Sequence, residues 1–237
     1  MLLVRCLNIK NFMTREEKRE KMLLDFNEIT NNTLSSKLEN LFNYWEEVSN
    51  EYGGIDINNF PNAKKACELA IPNENEILPI LKPNWENNLT RTTTCYLIVV
   101  DGVIKKIGSS GGGIKSQGVT MYFNCFSGTP SKRSSCGYTY LLGMLKNGHK
   151  VEFYYIDADI IKDVSIQTIS DNLKIDMPVA PLVFEKLNLN AYKTQSLGKV
   201  PFLNFQERHE KYPKIFDDIH MIIEQKNSKT KKYSEIA

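Results

Sequence analysis

Thr92-Thr93-Thr94-Cys95-Tyr96-Leu97-Ile98-Val99-Val100-Asp101-Gly102-Val103-Ile104-Lys105-Lys106-Ile107-Gly108-Ser109-Ser110 is where the sequence changes its period. Thr93 to Val100 is β-branched and aromatic, which predicts a strand. Asp101-Gly102 is a two-residue hairpin signal, so Val103 to Ile107 returns as a second strand. Ser109 to Gly113 follows as a glycine-rich loop, and a helix is expected from Ile114 to Phe126. Beyond the break at Ser127 to Ser131, a helix is expected from Tyr138 to Lys146, a turn at Asn147-Gly148 and a third strand from Val151 to Ile156. A proline-led helix then covers Leu182 to Tyr192, and a charged helical tail follows Asn204. These elements predict an α+β fold with a small mixed or antiparallel three-stranded sheet flanked by helices.

Upstream the period is helical. Thr14-Arg15-Glu16-Glu17 has the form of a capping box and opens a charged helix to about Ile29. Asn31-Asn32-Thr33 is expected to interrupt it. Leu34, Leu38, Leu41, Trp45 and Val48 then recur at spacings of three and four, and Gly53-Gly54 ends that second helix. Ala63 to Ile71 reads as a short third helix, and Pro79, Pro83 and Trp85-Glu86-Asn87-Asn88 read as a linker. The expected organisation is a helical appendage over 1–90, a central domain over 91–205 and a helical tail over 206–237.

The 237 residues are 41% apolar and 24% charged, with a net charge of +2, enough to build a core without disulfide or metal staples. No run of 18 or more apolar residues occurs, and the first residues do not have the form of a signal peptide, so a cytoplasmic protein is expected. Cys6, Cys67, Cys95, Cys125 and Cys136 form no C-x-x-C pair and read as reduced thiols. Charge is uneven. Residues 1–90 carry 10 Lys+Arg against 14 Asp+Glu, and residues 102–151 carry seven cations with no acidic residue. That window nominates a polyanion-binding surface, with an ordinary solvated surface as the alternative.

Common catalytic motifs are missing. Gly108 to Gly113 followed by Lys115-Ser116 misses the nucleotide-binding loop by one residue, and it follows a hairpin arm instead of a βαβ strand. His149, His209 and His220 have no metal-binding helical spacing, and no G-x-S-x-G elbow is present.

The order of strand, hairpin, strand, glycine loop, helices, third strand and proline-led helix resembles the GIY-YIG nuclease superfamily. Tyr96-Leu97-Ile98 stands for its first motif and Lys106-Ile107-Gly108 for its second, ten residues apart across Asp101-Gly102. Pro130 to Arg133, Leu141-Leu142 and Asn147 to Phe153 follow the family's later layout, and Lys199 to Asn204 resembles its closing asparagine. The lysine in the second motif is similar to type II restriction endonucleases of the superfamily. The resemblance covers about residues 92–205.

That resemblance implies hydrolysis of phosphodiester bonds in double-stranded DNA with one divalent cation, expected to be magnesium, held by one carboxylate. Tyr96 and Lys106 would assist the attacking water. A palindromic target would require a homodimer or higher assembly. The family's arginine after the second motif is missing from Ile114-Lys115-Ser116-Gln117-Gly118, which leaves Lys115 as the favoured cation and Arg133 as the other candidate. Tyr122, on the same predicted helical face as Lys115, is a further site candidate, with core packing as its alternative. The family's spacing back from the closing asparagine falls on Asn190, whereas Glu185 is the one glutamate of that helix. Glu185 is therefore the expected metal ligand, Asn190 marks a lost ligand if it is not, and Glu207 is a lesser candidate. Lys105, Ser109, Ser110, Lys132, Arg133 and Asn204 are the expected DNA contacts. The rival reading is a nuclease-fold DNA-binding protein without catalysis.

Overall fold

The computed structural model describes residues 15–89, 93–124, 131–157, 165–167, 172–174 and 181–234. β3 (Thr94–Val100) and β4 (Val103–Ser110) form the expected hairpin. Asp101 and Gly102 have φ of +47° and +80°, positive at both central positions as tight two-residue hairpins prefer. β5 (Val151–Asp157) pairs antiparallel with the other side of β3, so β3 is central and all seven of its residues are buried. Its two faces serve different cores. Tyr96, Ile98 and Val100 enter the larger cluster, and Cys95, Leu97 and Val99 enter the smaller.

The segment expected as a short helix over 63–71 is a strand, β1 (Lys64–Ala70). Its pairing with β5 shifts register between Lys65 and Cys67, and that bulge hides the strand alternation from the sequence. The expected linker contains β2 (Lys82–Trp85), which pairs with β1. Pro83 is tolerated there because β2 lies at the edge. The sheet is therefore antiparallel with five strands instead of three, in the order β2-β1-β5-β3-β4. Two of its strands come from residues assigned to the helical appendage.

α1 (Arg15–Tyr52) runs unbroken through Asn31-Asn32-Thr33. Asparagine and threonine lower helix propensity by only a few tenths of a kcal/mol, roughly, and without glycine or proline the helix continues. It buries Leu34, Leu38, Leu41 and Trp45 and ends at Gly53, φ +71°. α3 (Lys132–Lys146) starts six residues earlier than expected, where Ser131 Oγ accepts from the Ser134 amide at 3.2 Å. The helix expected over 114–126 is reduced to α2 (Gln117–Thr120), consistent with the glycines before and within it. Residues 125 and 126 of that expectation lie outside the described residues.

α4 (Pro181–Gln195) covers one face of β3 and β4 through Phe184, Leu189 and Tyr192. α1, α3 and α5 (Lys214–Ser234) cover the other. β6 (Ser165–Gln167) and β7 (Asn172–Lys174) form a separate two-stranded hairpin. Among the described residues no helix is long and apolar enough to cross a membrane. Cys67, Cys95 and Cys136 are free and buried.

Candidate active site

β4 is an edge strand, and Gly108 opens it. A Cβ added to Gly108 would stand 2.3 Å from both Cζ and Oη of Tyr96, so the tyrosine ring crosses β4 where a side chain is absent. Tyr96 starts on the central strand, opposite Gly108, and carries its hydroxyl toward the rim of the sheet. Lys106 lies opposite Ile98, two residues along from Tyr96, and so occupies the same face.

Tyr122 meets Tyr96 at this rim, with hydroxyl oxygens 3.2 Å apart. Its ring packs where Gly137 of α3 leaves room, a Cβ there standing 2.4 Å from Tyr122 Cδ1. Arg133, from the first turn of α3, lines the same cavity as Lys106 and Tyr122. Burial opposes its charge, but its bond to Tyr122 and the fields of Tyr122, Tyr96 and Glu185 hold the guanidinium above its ordinary value. Burial, reinforced by Tyr122, raises the Tyr96 phenol well above its usual range, with Arg133 pulling the other way. Tyr96 is therefore a neutral phenol at neutral pH. The cavity holds about 20 Å³, enough for a water but not for a base, and Cys136, Leu203, Phe205, Gln206, Glu207 and Tyr212 complete its wall.

Glu185 approaches from the opposite layer. It sits on α4, is 8% exposed, and its Oε2 accepts from Ser109 Oγ at 2.7 Å. The field of Glu185 reaches Tyr96 and Arg133 across the rim. Among the described residues it makes no ion pair. A buried carboxylate suits a hard cation, which needs oxygen anions and can complete its shell with water and phosphate.

Several expected site residues lie elsewhere. Lys115 and Tyr122 part company because the helix expected to carry both is one turn long, and Lys115 stacks 5.3 Å above the Trp85 ring on β2. Arg133, the other cation candidate, is brought beside Lys106 and Tyr122 by the early start of α3. Asn190 is exposed on α4. Five residues beyond Glu185, it is rotated by about 140° around the helix and cannot replace it. Glu207 lines the cavity beside Lys106 and Arg133.

The acid-free window is not a continuous basic surface. Lys105, the extra residue of a β-bulge on β4, is 4% exposed and donates to the carbonyls of Ser49 and Gly53 at 3.0 and 3.3 Å, capping α1. Lys132 pairs with Asp217 at 2.6 Å, Lys146 donates to the Glu74 carbonyl and Lys150 pairs with Glu152. Ser110 is buried and bonds Gly113 O and Ser116. Asn204, 1% exposed, spends its whole amide on the backbone of Ile107, accepting from N at 3.0 Å and donating to O at 2.9 Å. It fastens the 201–206 loop to β4 and is too buried to contact DNA. Lys106 donates to the Leu203 carbonyl of that loop at 3.4 Å.

No family model and no curated protein matches the chain. Among solved structures it is similar to "Restriction endonuclease HPY188I in complex with product DNA", with 24% identity over 62% of this chain and 84% of that one and a TM-score of 0.35.

Proposed function

We propose that this protein is a sequence-specific endonuclease that hydrolyses double-stranded DNA with a divalent cation, in the manner of a type II restriction enzyme of the GIY-YIG type. The observation that carries the reading is Tyr96 lying across Gly108, where Lys106, Tyr122 and Arg133 on one layer approach Glu185 on the other. The motif residues of the sequence thereby acquire a physical relation. The glycine exists so that the tyrosine can pass.

Glu185 is the residue that would hold magnesium. When bound, the cation would polarise a phosphoryl oxygen and offset charge on the leaving oxygen. Arg133 faces the negative charge that develops on the phosphate, a role in which a fixed guanidinium needs no reorganisation. Tyr96, a neutral phenol hydrogen-bonded to Tyr122, accepts a hydrogen bond from the attacking water and orients it for attack. Lys106 adds positive charge beside them. DNA lies over the cavity mouth, and a palindromic target is cut by two copies of the chain. The rival, a binding protein without catalysis, rests on a missing arginine and carboxylate, and the positions of Arg133 and Glu185 favour the nuclease reading over it.

The test is Glu185→Gln, assayed on plasmid DNA with magnesium and by DNA binding with calcium. Cleavage should fall by about 10³-fold or more while DNA affinity is kept. A variant that still cuts at the parental rate would remove Glu185 from the mechanism.

A further inference from the structure

We propose that the glycine-rich loop over 108–113 is a positioning device for Glu185, with Ser109 as its positioning residue. This rests on the reading of Glu185 as the cation ligand. The loop looks like a phosphate cradle in sequence, but both of its hydroxyls are committed to the protein. Ser110 donates to Gly113 O at 2.9 Å and lies 2.5 Å from Ser116 Oγ, which closes the turn on itself. Gly113 permits that closure at φ +79°.

Ser109 is paired opposite Cys95, on the layer covered by α4, and donates to Glu185 Oε2 at 2.7 Å. Gly111 abuts the first turn of the same helix, where an added Cβ would stand 3.3 Å from Pro181 Cγ. The closed turn thus braces α4 at two points, by hydrogen bond and by contact. The bond to Oε2 holds the carboxylate in one orientation, in which Oε1 would meet the cation. Partners of this kind commonly govern metal affinity without touching the metal.

The test is Mn²⁺ binding to the full chain without DNA, followed by electron paramagnetic resonance. Ser109→Ala should weaken Mn²⁺ binding by about tenfold, with its melting temperature unchanged. Ser109→Thr, which keeps the hydroxyl, should bind like the unaltered chain. Cleavage by Ser109→Ala should recover as magnesium is raised. Undiminished Mn²⁺ affinity in Ser109→Ala, with binding lost in Glu185→Gln, overturns the positioning role and leaves the cation reading intact. A threonine variant as weak as the alanine one overturns the assignment to the hydroxyl. Undiminished binding in Glu185→Gln overturns the cation reading beneath both.

Discussion

The two ends of the β3–β4 hairpin treat charge in opposite ways. At the turn, Asp101 accepts from the Lys150 amide and lies 2.6 Å from His149 Nδ1, while His149 Nε2 lies 3.1 Å from Glu46 on α1. Lys105 caps α1 a few residues away. Each of these side chains has a partner within the protein, and the turn is tied to the helical layer. At the glycine end Lys106 and Arg133 face a cavity and Glu185 accepts from Ser109. Neighbouring lysines make the contrast sharp: the bulge sends Lys105 to a helix end and Lys106 to the cavity wall. The turn end ties its charges to the helical layer, and the glycine end sets its cations against a cavity.

The largest effect that would sharpen this contrast comes from Arg133→Ala. It should reduce the single-turnover cleavage rate by roughly 10²–10³-fold, the usual loss when one preorganised charge donor is removed. Lys115→Ala, measured beside it, should cut like the parent, because Lys115 sits on Trp85. The reverse ranking would restore the cation expected from sequence spacing and break the assignment of Arg133.

Gly108→Ala should come next. Its methyl would displace the Tyr96 ring, with a stability loss of about 1–3 kcal/mol in urea unfolding and a large loss of cleavage. Tyr96→Phe, which keeps the ring and drops the hydroxyl, should lose cleavage with little change in unfolding. Equal losses of activity and stability in both variants would make Tyr96 a packing residue.

At the turn end the effects are on stability. Burial lowers the Lys105 amine to about 8, Asp101 acting against it, so the native state releases this proton more readily than the unfolded chain. Stability from this group therefore rises with pH between about 8 and the unfolded value of 10.5. Lys105→Met should flatten that rise in pH-dependent unfolding, and an unchanged profile would contradict the buried cap.

The smallest effect belongs to His149. Burial opposes its charge, but Asp101 and Glu46 outweigh burial and raise its value above 6.5. Its contribution is fully present below pH 6.5 and is lost as pH rises through the raised value. His149→Gln should lower stability by about 0.2–1 kcal/mol at pH 6 and by less at pH 8, read by thermal melting. Cleavage should not change.

The hairpin, the third strand and α4 were legible in the sequence because each carries an uninterrupted local signal: β-branched runs, Asp-Gly, and proline before an apolar period. β1 was not, because its bulge puts Ala66 and Cys67 both into the core and imitates helical spacing. Nor was β2, whose proline is acceptable only at a sheet edge that the sequence cannot display. Tyr96 and Lys106 were expected on one face of the hairpin from motif order, and they share that face. Arg133 was set aside in favour of Lys115 because its position depends on where α3 begins, a consequence of the Ser131 cap. Lys105 and Asn204 were misread as DNA contacts because surface residues and buried clamps share the same composition.

Incubation of the unaltered chain with supercoiled plasmid, with magnesium and with EDTA, tests the central claim most directly. Discrete linear fragments with ends at one repeated sequence should form with magnesium and be absent with EDTA. Plasmid left intact in magnesium, despite DNA binding by the same protein, would contradict that claim.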